Sequence, residues 1–293
     1  MAVAAPSPAP LKVSVVIPTW NRSAMLRRTL RELLSAEPPV EEILIHIDAG
    51  DTETAPMLDR EFAGQVSWRQ SATTQGPGGG RNLLFRQARH PLVACFDDDS
   101  WPMDRGFFGQ VVALFTARPE VAVVACPIVM PSIKTPLEAE GPGNCFENCG
   151  CVLRREAFLA TAGYLPLRYA YGAEETDVAL QLLDAGWSIW HAPALRVYHD
   201  SEHGHHRGKR ITSAHIRNTG LLVFLRYPWQ YWPLGIAQVA NRAVYSFRVH
   251  RRRGIVTGLL SILPTCWQWA SRRKTVAPAT IRKSRQIARA RRR

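Results

Sequence analysis

Beyond Glu202 the sequence contains no aspartate or glutamate. Its 37 basic residues divide into 17 before position 203 and 20 after it, while all 24 acidic residues lie in the front part. The formal charge of +13 therefore describes an acidic front joined to a wholly basic rear. The sequence also lacks an uninterrupted apolar run of the ~20 residues that a helix needs to cross a bilayer. The longest such stretch, Gly254 to Ala270, is broken by Pro264, so no spanning segment is expected. Residues 1–10 are rich in Ala and Pro and lack the basic start and apolar core of a secretory signal. They read as a disordered lead-in to a cytoplasmic protein. No pair among the six cysteines has C-x-x-C spacing, which removes the zinc knuckle and the redox dithiol. Cys145, Cys149 and Cys151 cluster, but small buried residues explain them more simply than a metal site does. The glycine stretch Gly76 to Gly80 has neither a Gly-Lys-Ser/Thr ending nor G-x-G-x-x-G spacing. It reads as a flexible loop whose backbone could approach a phosphate.

What is present is enough apolar sequence, 46% of 293 residues, to fill one large α/β domain with an appendage. The run Val13, Val15, Val16, Ile17 is strand-like and stops at Pro18; leucines at 26, 30, 33 and 34 then recur at helical spacing. Further strands are expected at Ile43 to Ile47, Leu92 to Phe96 and Val121 to Met130, and a strand pair at Trp187 to His191 and Leu195 to His199. Helices are expected from about Asp104 to Ala117 and from Glu174 to Ala185. Such alternation implies a mostly parallel central sheet flanked by helices, with ligands bound at the carboxyl ends of the strands. The acidic clusters sit there: Asp48-Ala49-Gly50-Asp51 after one strand and Asp97-Asp98-Asp99 after another. Three adjacent carboxylates repel one another, and a hard divalent cation, Mg²⁺ or Mn²⁺, relieves the repulsion while bridging to diphosphate oxygens. A solvated turn or a helix cap is the plainer alternative.

The segment Val13 to Arg22, containing Pro18-Thr19-Trp20-Asn21-Arg22, resembles the opening strand of family 2 glycosyltransferases. Asp97-Asp98-Asp99 resembles their D-x-D motif, Ile47 to Thr52 their second-strand motif, and Gly80-Arg81-Asn82 the segment before the D-x-D strand. The order and spacing agree across about 190 residues. The resemblance implies a GT-A fold, a nucleotide-sugar donor and inverting transfer of one sugar. Under it Pro18, Thr19, Asn21 and Asp48 line the nucleoside, Arg81 lies near the base or diphosphate, Asp98 belongs to the donor side, and Asp97 and Asp99 flank the metal. His199, at a strand end, completes the metal or diphosphate site, with His203, His205 and His206 as phosphate contacts in a lid. Tyr171 to Asp177 resembles the acceptor-site motif, with Tyr171 and Glu174 on the acceptor and Glu175 as catalytic base. Ala49 stands where many members have a second Asp, so the base is left open; UDP- and dTDP-sugars are favoured. The Q-x-x-R-W sequence of processive synthases is missing.

On this reading the catalytic domain covers 11–225. Residues 226–270 mix Tyr227, Trp229, Tyr231, Trp232, Tyr245, Trp267 and Trp269 with arginines, as suits a membrane interface. Residues 271–293 read as a basic, poorly ordered tail. A glycan or lipid-linked acceptor, an anionic membrane surface and a peripheral position on its inner face follow, with envelope or surface-polysaccharide synthesis as the setting. The rival is a basic nucleic-acid-binding protein with an α/β scaffold. It explains the charge but not the acidic motifs. A nucleotidyltransferase would also use paired acids and Mg²⁺, but a basic glycine-rich signature is not found at Pro18 to Arg22.

Overall fold

A computed structural model describes residues 11–131, 139–169, 172–201 and 208–291. Tyr171 and His203, His205 and His206 lie outside the described residues, as does the 1–10 lead-in. Strand β1 (Val13–Thr19) is buried along its whole length. It pairs in parallel with β2 (Glu42–Ile47) on one side and β4 (Leu92–Cys95) on the other. Adding β3 (Ser67–Gln70), β6 (Val121–Ala125), β8 (Gly141–Gly143), β9 (Cys151–Arg154) and β10 (Ser188–His191) gives one sheet in the order β3-β2-β1-β4-β9-β6-β10-β8. Only β9 and the edge strand β8 run against the rest. A three-stranded sheet of β5 (Ser100–Pro102), β11 (Val197–His199) and β7 (Ile128–Val129) lies beside it, in the order β5-β11-β7.

The period-2 alternation of β1 splits the core. Val13, Val15 and Ile17 join the cluster containing Leu26, Leu30 and Leu33 of α1 (Ser23–Leu34), Met57 and Leu58 of α2 (Thr54–Glu61), and Phe107 and Val111 of α4 (Phe107–Ala117). Val16 faces the opposite cluster, with Leu84 and Phe85 of α3 (Gly76–Gln87), Phe158 of α5 (Arg155–Leu159), and Val178 and Leu182 of α6 (Glu174–Asp184). Each fully buried leucine in these layers is worth about 2 kcal/mol of transfer free energy.

Four expectations change. The run expected as one strand over Val121 to Met130 is interrupted at Cys126-Pro127, because proline cannot donate to a ladder; it divides into β6 and β7, in different sheets. The strands ending at His191 and His199 likewise join different sheets rather than each other. The glycine stretch is the first turn of α3, not a loop. A Cβ on Gly78 would sit 2.0 Å from Glu174 Oε1, and one on Gly80 would sit 2.5 Å from His46 Nδ1. Close packing, not flexibility, calls for glycine there.

The fourth change concerns the rear. Helix α7 (Lys209–Arg226) crosses the expected boundary at 225 and is buried on most sides; α8 (Trp232–Arg248), α9 (Ile255–Leu260) and α10 (Ile262–Gln268) pack on it. The stretch read as a disordered tail contains α11 (Pro278–Ala290), lying against α6 and β8. Val276 and Ile281 are buried with Leu180 of α6. Asp184 Oδ1 accepts hydrogen bonds from Ala277 N and Thr280 Oγ1, both at 2.7 Å, and so caps the helix from outside. Two apolar anchors and one cap outweigh what composition suggested.

Candidate functional site

Because β2, β1 and β4 run in parallel, Asp48, Thr19 and the acidic triplet emerge side by side at one edge of the sheet. The register is fixed further by Asp48 N donating to Thr19 O at 3.0 Å and Phe96 N to Val16 O at 3.2 Å. His199 arrives from 100 residues away because β11 pairs antiparallel with β5, putting His199 opposite Ser100. Asp200 N donates to Asp99 O at 2.8 Å and closes the corner.

Asp97, Asp99 and His199 each present a ligand atom, and these atoms lie within 4.8 Å of one another. His199 Nε2 is 3.0 Å from Asp99 Oδ1. Yet that buried oxygen has no well-aligned donor, and His199 Nδ1 also lacks a partner. Orphaned buried polar atoms are costly, and two carboxylates with an imidazole are a suitable donor set for Mn²⁺ or Mg²⁺. The residues fit a divalent cation. Burial alone would lower the His199 ring's pKa, but Asp99 and Asp97 outweigh it and raise it. Burial would raise Asp99, but His199 and Arg22 bring it below the usual carboxylate range. Among the described residues the clustered cysteines form no such group; Cys149 and Cys151 are buried and their thiols pushed well up by desolvation.

The other expected residues separate into those at the open edge and those beneath it. Asp98 is turned inward, 4% exposed, accepting from Thr19 Oγ1 at 2.7 Å and from Arg22 at 2.5 Å. Burial pushes its pKa up to about 7 despite Arg22. It ties the acidic loop to β1. Arg81 is likewise beneath the site, 2% exposed, with its guanidinium on Asp97. It orients Asp97, so of the two expected places, near the base or near the diphosphate, its pairing is with the metal-flanking side. Glu174 is also buried, 3% exposed, with Oε1 unpartnered against Gly78, so it does not reach outward to an acceptor. Burial and the neighbouring Glu175 raise its pKa well above the normal range, favouring the neutral acid.

Glu175, half-buried in the first turn of α6, keeps a side open. Burial raises its pKa to about 6, tempered by its own and Asn148's backbone N–H groups and by Arg81. That is a base largely ionised at neutral pH. Asp48 spends its carboxylate on the start of α3: Oδ1 accepts from Ala49 N at 2.9 Å and Gln75 N at 2.8 Å, and Oδ2 from Gly76 N at 3.0 Å. Pro18 lies one residue before the end of β1, in register with His46, and Asn21 follows the strand with φ +51°. Asparagine tolerates this left-handed conformation.

Three residues escaped the sequence reading. Arg22 bridges Asp98 and Asp99, each at 2.5 Å, and is 43% exposed. Trp20, 54% exposed, donates its indole N–H to Ala49 O at 3.0 Å and presents a flat face between the first and second motifs. Asp51 fixes both motifs: it accepts from Asn21 N at 2.7 Å, from Thr54 N and Oγ1 at 2.9 and 2.7 Å, and from Glu53 N at 3.0 Å. All three lie inside quoted motifs, but only tertiary pairing assigns their roles.

Residues 14–148 match the model of glycosyl transferase family 2. A pre-mycofactocin glycosyltransferase of Mycobacterium tuberculosis is 27% identical over 214 residues, covering 64% of this chain and 42% of that protein. The chain thus spans about two fifths of the length of this curated relative. Among solved structures, a mannosyltransferase from Pyrobaculum calidifontis in complex with GDP-Man and Mn²⁺ superposes with a TM-score of 0.60 at 16% identity. The match covers 91% of this chain and 85% of that one. GalNAc-T7 with UDP, GalNAc and Mn²⁺ gives a TM-score of 0.61 at 15% identity, over 76% and 49%. At such identities these likenesses establish the fold.

Proposed function

The protein carries a family 2 glycosyltransferase domain on a GT-A fold, and on that premise we propose that it moves a single sugar from a nucleotide-diphosphate sugar to a hydroxyl acceptor. The observation that carries the reading is the convergence of Asp97, Asp99 and His199 at the strand ends, with Glu175 within electrostatic reach of Arg81, the residue that pairs with Asp97. A Mg²⁺ or Mn²⁺ ion on those three residues would neutralise charge on the departing diphosphate. Arg22 adds fixed positive charge beside them, and Arg81 holds Asp97 in orientation.

Glu175 takes the proton of the acceptor hydroxyl as its oxygen bonds to the anomeric carbon, while the bond to the diphosphate oxygen breaks. A single base on the acceptor side supports inversion. Trp20 offers an aromatic face for a nucleobase of either kind, and UDP- or dTDP-sugars are the donors proposed. The acceptor is a glycan or lipid-linked hydroxyl at the inner face of a membrane, in envelope or surface-polysaccharide synthesis. The wholly basic rear of the chain supports that setting.

The test is donor turnover with UDP-, dTDP- and GDP-sugars in Mn²⁺ or Mg²⁺, comparing wild type with Asp99→Ala and Glu175→Gln. Metal-dependent release of one nucleotide, abolished in Asp99→Ala, is expected. Absence of metal-dependent nucleotide binding with every donor would overturn the proposal.

A further inference from the structure

In the rear of the molecule apolar side chains point outward. Helix α8 lies against α7 through Gly235, where a Cβ would meet Val223 at 2.2 Å. On its outer side Trp232, Ile236, Val244 and Phe247 are open to solvent. Their spacing puts them in one row along the helix. Helices α9 and α10 are held to α7 by Gly258, packed on Ser213 and Ile216, and by Ile262, packed on Gly220. They expose a second row, Val256, Leu260, Leu263 and Trp267, at 68, 74, 79 and 85%. Helices α8 and α9 touch, so the two rows belong to neighbouring elements. Grouped exposure of this extent marks an interaction surface.

The charge around the rows has one sign. Arg248 and Arg251 to Arg253 occupy the end of α8 and its connection to α9, and Arg272 and Arg273 follow α10. None of these six has a carboxylate partner among the described residues. Arg252 lies 4.4 Å over Phe247 and Arg273 5.6 Å over Trp232, so guanidinium groups border the apolar rows directly.

We propose that the α8 row and the α9–α10 row form a membrane-seating surface, entering the acyl edge of a leaflet while the bordering arginines meet anionic headgroups. A second copy of the chain fits poorly, since a two-fold contact would set this positive rim against itself. A nucleic acid would satisfy the arginines but leave Leu260, Leu263 and Trp267 in water. No described helix is long and apolar enough to cross a membrane, so the protein would lie on the leaflet.

The surface is joined to the chemistry. Helix α7, which carries these helices, ends in Arg226, paired with Asp177, two residues after Glu175 in the first turn of α6. Seating would thereby hold the catalytic helix at a set height above the leaflet, as a lipid-linked acceptor requires. The inference rests on the membrane-borne acceptor proposed above.

The experiment is sedimentation of the full chain with phosphatidylcholine vesicles, with and without roughly 30% phosphatidylglycerol. The variants are Leu260→Asp/Leu263→Asp and Arg252→Gln/Arg253→Gln, with donor turnover and solution mass measured alongside. Binding to anionic vesicles, weakened about tenfold or more by the leucine pair and severalfold by the arginine pair, is expected. Donor turnover without vesicles should survive in both variants. Wild type that ignores anionic vesicles, or binds them regardless of Leu260 and Leu263, overturns the surface. So does a dimer that the leucine substitutions dissolve. Vesicle binding that follows these substitutions, in a protein that binds no nucleotide sugar, upholds the surface and sinks the transferase reading instead.

Discussion

The front and rear of this chain handle charge in opposite ways. In the front, carboxylates at the strand ends are committed, the buried Asp98 to Thr19 and Arg22, the half-buried Asp97 to Arg81, and the buried Asp51 to four donors around two motifs. In the rear, Arg248, Arg251 to Arg253, Arg272 and Arg273 have no carboxylate partner among the described residues and stand near apolar side chains that face outward. The first arrangement spends stability on holding charges in a fixed geometry. The second leaves charge and apolar area available to something outside the molecule. A protein built only as the front is would need no such rear, and the ion pair of Arg226 with Asp177, both wholly buried, is where the two are joined.

The largest test of the contrast is at the committed end. Asp99→Ala removes a converging oxygen and frees Arg22 and His199. Turnover is expected to fall by about 10³-fold or more, some 4 kcal/mol of transition-state stabilisation. Folding should lose about 1–3 kcal/mol as well, because the buried Asp99 carboxylate pairs with Arg22 and His199; thermal melting beside donor turnover separates that loss from the loss of catalysis. At the joint, Arg226→Ala leaves Asp177 charged and unpaired in the interior. A loss of about 3–5 kcal/mol is expected in denaturant unfolding, and Asp177→Asn should recover part of it. If Arg226→Ala costs under about 1 kcal/mol, the rear is not integral to the fold.

Glu175→Gln should lower kcat by about 10²-fold or more while leaving nucleotide affinity near wild type. With its pKa raised to about 6, the base is protonated and idle below that value. Wild-type kcat should therefore rise with pH through about 6 and level off above it. A flat profile between about pH 5 and 8 would remove Glu175 from the base role.

The fold's front was legible because β-branched runs stopped at polar clusters. Strand ends and motifs therefore coincided at Thr19, Asp48 and Asp97. The convergence of His199 on Asp99 was legible only through resemblance, since the pairing of β11 with β5 joins segments about 100 residues apart and leaves no local trace. Burial is what the motifs did not carry. Arg81, Asp98 and Glu174 read as polar groups for a ligand, and nothing in their spacing says that each lies under the surface. Gly76 to Gly80 read as loop because glycine disfavours helix by about 1 kcal/mol per residue. The need to admit Glu174 and His46 is tertiary information and overrides that preference.

The smallest expected effect tests whether α11 belongs with the front or the rear. Its basic composition matches the rear, but Asp184, on α6, the helix that carries Glu175, caps it. Asp184→Ala removes an acceptor for both Ala277 N and Thr280 Oγ1 and should cost about 1 kcal/mol. The loss should be local, because Val276 and Ile281 still anchor the segment against Leu180. Amide exchange should rise across 277–290 while β1, β2 and β4 keep their protection and kcat stays near wild type. If exchange instead rises through α6 and kcat falls, α11 braces the helix that presents Glu175, and the basic end of the chain has been recruited into the acidic half.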